Sequence, residues 1–158
     1  MEYLEQRTAG GCGPCSFLMV ARHFGLGREM TEEEALDRFG VQMEGPRCFA
    51  TTPSFHKAAD SVGLKVRLKS LSRDQLRRHL GDGPVILLHR SSEAENTLPH
   101  FSVAISASDE EIVRHDPSLG PDIHDTWLRF EGLWDRAKVS WYPENGNWAV
   151  LIRPHFDD

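Results

Sequence analysis

Gln6-Arg7-Thr8-Ala9-Gly10-Gly11-Cys12-Gly13-Pro14-Cys15 runs through Ser16 into the apolar stretch Phe17-Leu18-Met19-Val20-Ala21. Phe17, Val20, Ala21 and Phe24 recur at helical spacing and Gly25 supplies a stop, so a helix is expected from about Cys12. A thiol then stands at a helix mouth, where unpaired backbone N–H groups and the helix dipole favour the thiolate. Gly10, Gly11 and Gly13 leave the sulfur open to approach. Upstream, Gln6 carries a side-chain amide that can join the Cys12 backbone N–H in donating to an oxyanion.

Downstream, the first half continues to read as helix. Thr31-Glu32-Glu33-Glu34 is a capping box opening a short helix through Phe39, ended by Gly40. Thr52-Pro53 places a cap and a first-turn proline before a helix that Gly63 ends. Ser72-Arg73-Asp74-Gln75 is a second capping box, with a helix to Leu80 and Gly81 beyond. The second half reads as strands: Pro84–His89, then Phe101, Val103 and Ile105 alternating with smaller residues, then Ile112–His115 across the acidic turn Ser108-Asp109-Glu110, and last Trp148–Ile152. Between these, Thr126–Trp134 predicts a short helix with an aromatic face. Helices followed by consecutive strands give an α+β fold, with an N-terminal helical lobe against an antiparallel sheet and an active site in the cleft.

The chain has 158 residues, which predicts one domain over residues 1–158, large enough to bury a core without disulfide or metal staples. A net charge of −6 argues against a nucleic-acid surface. No apolar run reaches the length of a membrane span, and the acidic start Met1-Glu2-Tyr3-Leu4-Glu5 lacks a signal-peptide core, so a cytoplasmic protein without membrane insertion is expected. Three cysteines cannot all pair within one chain, so reduced thiols are expected.

A thiolate needs a base, and the base needs an orienter. His100 opens one strand, where its imidazole is expected to project from the sheet edge toward the thiol. Asp116 closes the next strand, 16 residues on, so a tight hairpin makes the two near neighbours. His115 adjoins Asp116, but adjacent strand residues point to opposite faces. His23, His56, His79, His89, His124 and His155 read as surface or core residues. Cys12 and Cys15 also spell Cys-Gly-Pro-Cys, a redox motif, yet no buried strand precedes it. A zinc site from Cys12, Cys15, Cys48 and a histidine would lack a second tight pair. Cys15 and the Trp127, Phe130 and Trp134 stripe read as packing, Cys48 as ordinary, and Glu32, Glu33 and Glu34 as a solvated helix start.

Together, Gln6 with Cys12-Gly13-Pro14-Cys15, His100-Phe101-Ser102-Val103 and Asp116-Pro117-Ser118-Leu119-Gly120 resemble the motifs of the double-glycine leader peptidases. These are papain-like cysteine peptidase domains found on bacteriocin-exporting transporters, and they have free-standing relatives. The resemblance runs from Gln6 to about Trp134. Two differences stand out: Gly11 occupies a position usually acidic in that family, and the segment Arg90–Thr97 before His100 is longer and more polar.

The resemblance implies a papain-like fold, with Cys12 as nucleophile, His100 as general base and acid, Asp116 as orienter and Gln6 as oxyanion donor. It implies a peptide or protein substrate cut after small or glycine residues, with no cofactor and no metal. A partner protein or transporter is left unidentified. Acyl transfer to an amine uses the same thioester, and a non-catalytic binding module with the same fold is the alternative from another class.

Overall fold

The computed structural model describes residues 1–40, 52–93, 99–135 and 146–157. Cys48, the side chain of Thr52 and residues 94–97 of the polar segment before His100 lie outside the described residues. The elements are α1 (Cys12–His23), α2 (Glu32–Phe39), α3 (Thr52–Asp60), β1 (Lys65–Ser70), α4 (Arg73–Leu80), β2 (Val85–Arg90), β3 (Pro99–Ala107), β4 (Glu111–Asp116), β5 (Gly120–Thr126), α5 (Trp127–Trp134) and β6 (Trp148–Arg153).

Local chemistry sets the helix ends. Thr31 and Ser72 each accept from the backbone N–H three residues on, while Glu34 and Gln75 reach back to the cap residues, so both expected capping boxes form. Gly40 closes α2 in the left-handed region at φ 66°, where a Cβ would be strained.

All strand pairs are antiparallel, in the order β1-β6-β2-β3-β4-β5. Alternation sends Ile86, Leu88, Phe101, Val103, Val150 and Ile152 to one face, where they pack with the apolar sides of α1, α2 and α3. Val85, Leu87, Ala104, Ile112, Ala149 and Leu151 face the other way, onto α4 and α5 through Leu76, Trp127, Phe130 and Trp134. The aromatic stripe of α5 is therefore core, as expected. Helices cover both faces of the sheet: the expected N-terminal lobe supplies α1, α2 and α3 on one face, while α4 and the expected helix α5 lie on the other.

Two strands differ from the sequence reading. β1 lies between α3 and α4, in the half expected to be helical, and β5 follows the Asp116 turn. They form the two edges of the sheet. Edge strands with charged side chains resist further pairing and lack the apolar alternation that betrays an interior strand. Among the described residues, no helix is long and apolar enough to cross a membrane.

Candidate active site

Gly11 caps α1 without a side-chain hydrogen bond, and the first turn carries no acidic residue, so Cys12 opens the helix beside an uncapped N-terminus. Cys12 is partly exposed and free; Cys15, one turn on, is free and fully buried. Burial, followed by the charge of the nearby Glu32 carboxylate, pushes the Cys15 thiol well above the ordinary thiol range. Cys15 is a packed, protonated side chain and Cys12 the accessible sulfur.

His100 is the second residue of β3, an interior strand rather than the sheet edge expected from the sequence. Its ring meets Cys12 and Asp116 together. Nε2 lies 2.7 Å from Asp116 Oδ1 and 3.3 Å from Ser118 Oγ, and the Cys12 thiol is near enough to the ring to favour its charged form. The register explains the first contact: Val103 pairs with His115 and Ala104 with Arg114, so His100 and Asp116 are diagonal neighbours on one face of the hairpin. Burial works against the imidazolium, but the hydrogen bonds to Asp116 and Cys12 outweigh it and raise the His100 pKa to about 9. Asp116 is fully buried. Burial opposes its charge too, yet the His100 hydrogen bond and the charges of His100 and Arg114 hold its carboxyl far below the usual range.

Gln6 lies against the same loop. Its backbone N–H donates to Pro117 O at 2.9 Å, and its Nε2 donates to Thr8 O at 2.9 Å. Tyr3 Oη also donates to Asp116 O at 3.0 Å, so the N-terminal segment straps across the Asp116–Pro117 turn. His115 turns the other way, accepting from Asp122 N and contacting Met1 O, so it takes no part with Asp116.

Glu32 is not the solvated residue its run of glutamates suggested. Its carboxylate accepts the Arg7 backbone N–H at 3.0 Å on each oxygen and the Thr8 hydroxyl at 3.2 Å. A Cβ on Gly11 would collide with Glu32 Oε1 and lie 3.0 Å from Gln6 Cβ. Glycine before Cys12 thus admits an acidic side chain from α2 instead of carrying one. Glu33 and Glu34 remain exposed.

Sequence reasoning also passed over the groups behind His100. Ser118 donates to Asp116 Oδ1 through both N and Oγ at 3.0 Å, and Arg114 donates to Asp116 Oδ2 at 2.5 Å. His89, paired directly opposite His100, packs edge to face on it with ring centroids 5.5 Å apart, and its Nε2 lies 2.8 Å from Ser102 Oγ. Burial, and after it the charges of Arg114 and His100, lower the His89 pKa to about 3.

This histidine makes the fold acid-sensitive. Its folded pKa lies below the ordinary 6.5, so the unfolded chain takes the proton first as pH falls. Its stabilising effect is full above about pH 6.5 and is lost toward about pH 3, roughly 2–3 kcal/mol of it by about pH 4.5. His100, with its pKa raised, acts oppositely: its contribution is full below about pH 6.5 and is lost as pH rises through about 9. Urea unfolding at about pH 7 and pH 4.5 should show the acid loss. His89→Gln should flatten it, and equal wild-type stability at both values would contradict a neutral buried His89.

Among the described residues, no three His, Cys, Asp or Glu side chains converge as metal ligands. The arrangement offers an accessible sulfur, a charged imidazole touching it and an ionised carboxylate behind, which is the equipment of nucleophilic acyl transfer.

The sequence profile of the Peptidase C39 family matches residues 1–145. No curated protein matches the chain. The fold is similar to the peptidase domain of Streptococcus ComA, a bi-functional ABC transporter involved in a quorum-sensing pathway. The two share 18% identity at a TM-score of 0.71, over 96% of this chain and 97% of that one. It is similar to a double glycine motif protease from the AMS/PCAT transporter, solved with its leader peptide, at 18% identity and a TM-score of 0.71 over 98% and 91% of the two chains. A C39-like peptidase from Bacillus anthracis superposes with a TM-score of 0.66 at 16% identity, over 94% and 92%.

Proposed function

This chain belongs to the Peptidase C39 family, and on that premise we propose that it cleaves a peptide bond through an acyl-enzyme on Cys12, with His100 as general acid and base, Asp116 as its orienter and Gln6 as an oxyanion donor. The observation that carries this reading is the position of His100, hydrogen-bonded to Asp116 at 2.7 Å and close enough to the Cys12 thiol for that group to favour the charged imidazole.

The Cys12 thiolate attacks the scissile carbonyl carbon, and the C=O electron pair moves onto oxygen. The Cys12 backbone N–H at the uncapped end of α1 and the second Nε2 hydrogen of Gln6 donate to that oxyanion. His100 is still cationic at neutral pH, so it hands a proton to the leaving amine as the C–N bond breaks and a thioester remains. Neutral His100 then takes a proton from water, the hydroxide attacks the thioester, and the thiolate leaves. The family and the leader peptide bound by the AMS/PCAT protease support a peptide substrate with small residues, such as glycine, before the cut.

The test is cleavage of a peptide containing Gly-Gly, with the products identified by mass spectrometry. Gln6→Ala should lower kcat by about 10²–10³ with little change in KM. An unchanged kcat would reduce Gln6 to a loop-holding residue.

A further inference from the structure

β4 buries a full positive charge directly behind the carboxylate. Arg114 is 3% exposed and points to the same face as Ala104 and Ile112, where an aliphatic side chain would continue the core. Its Nη1 donates to Asp116 Oδ2 at 2.5 Å, and its Nε donates to Asp125 Oδ2 at 2.9 Å. The guanidinium carbon lies 5.7 Å from the Phe130 ring centroid. Asp125 is also buried, and its Oδ1 stands 3.3 Å from Arg129 Nη1 on α5. Stability alone gives this network little reason, because exchanging buried ion pairs for packed apolar groups is often neutral or favourable.

The two oxygens of Asp116 are used differently. Oδ1 accepts from His100 Nε2, Ser118 N and Oγ, and Leu119 N. Oδ2 accepts from Arg114. A planar guanidinium held by one carboxylate through Nε presents its Nη1 hydrogen along a fixed line. Without it, Oδ2 would be a buried charged atom lacking this donor, and nothing else described at Oδ2 would hold the carboxylate plane.

We propose that Arg114, gripped by Asp125, is a positioning residue for the base: it fixes the plane and the charge of the Asp116 carboxylate so that Oδ1 faces His100 Nε2. This rests on the reading of Cys12, His100 and Asp116 given above. The charged and titratable groups facing Asp116 are His100 on β3, Arg114 on β4 itself, Asp125 on β5, the neutral His89 on β2, Cys12 on α1, Arg129 of α5 through Asp125, and the Tyr3 phenol from the N-terminal strap.

The test needs no substrate. The rate of Cys12 alkylation by iodoacetamide is followed from about pH 4 to 9 in wild type, Arg114→Lys, Arg114→Met, Asp125→Asn and His100→Ala, with circular dichroism reporting the folded fraction. Arg114→Met should lower the rate per folded molecule near pH 6 by about 10–100-fold, toward that of His100→Ala. Arg114→Lys keeps the charge without the two-pronged geometry and should recover part of the loss. Asp125→Asn, nearly isosteric and the variant most certain to fold, should fall between wild type and Arg114→Met. Profiles of Asp125→Asn and of any folded Arg114 variant that superimpose on wild type, with His100→Ala slow, would overturn this role for Arg114 and leave the triad standing. A wild-type profile in His100→Ala would overturn the triad and this proposal together.

Discussion

Cys12→Ala is expected to abolish turnover while the protein stays folded. Among the described residues no other thiol can stand in for Cys12: Cys15 is fully buried and, by its burial and the nearby Glu32 carboxylate, pushed toward the protonated form. Water in place of the sulfur would have to attack with only the oxyanion donors and His100 to help, so the rate should fall by about 10⁴-fold or more. The fold should tolerate the change. Cys12 is the first residue of α1, is partly exposed and only borders the core, and alanine is the best helix former. A stability change under about 1 kcal/mol is expected. Peptide cleavage measured beside thermal unfolding separates the two effects, and a variant that still cleaves would remove Cys12 from the chemistry.

Asp116→Asn should damage both activity and stability, for one geometric reason. Oδ1 faces donors from His100, Ser118 and Leu119, so the amide of an asparagine would keep its oxygen there. Its nitrogen would then face Arg114 Nη1, donor against donor, in a fully buried site. Arg114 would keep Asp125 but lose half of its counter-charge. Breaking a buried pair in this way costs about 3–5 kcal/mol. His100 would lose the carboxylate that holds its imidazolium, and kcat should fall by about 10²–10⁴-fold. Denaturant unfolding and kcat measured on the same preparation check both. Wild-type stability would contradict the buried charge network, and a wild-type kcat would remove Asp116 from the reaction.

The thiol, its helix and the hairpin behind it were legible in the chain because each has a short-range signature. Helical spacing after Cys12, the acidic turn at Ser108–Glu110, and strand alternation place Cys12, His100 and Asp116 without long-range information. β1 and β5 were not legible, since edge strands owe their place to the partner strand and carry polar side chains on open faces. Glu32 was misread for a related reason. Its bonds reach 25 residues back to Arg7, and nothing in Glu32-Glu33-Glu34 distinguishes the one that turns inward. Arg114 did leave a trace: Ile112, Arg114 and Asp116 share one face by alternation, and a charged residue between a core residue and a candidate orienter signals a buried pair. His89 left none, because Pro84–His89 reads as an apolar run whose last residue is free to face either way.

The chemistry proposed for Cys12 depends on its activation by His100. The most direct measurement is iodoacetamide labelling of the native protein from about pH 5 to 9, with each modified cysteine mapped by mass spectrometry, in wild type and His100→Ala. An imidazolium that persists to about pH 9 beside the sulfur predicts fast labelling of Cys12 alone near about pH 6, lost when His100 is removed. Labelling that begins only above about pH 8, at the same rate in both proteins, is the behaviour of an ordinary cysteine and would contradict an activated pair.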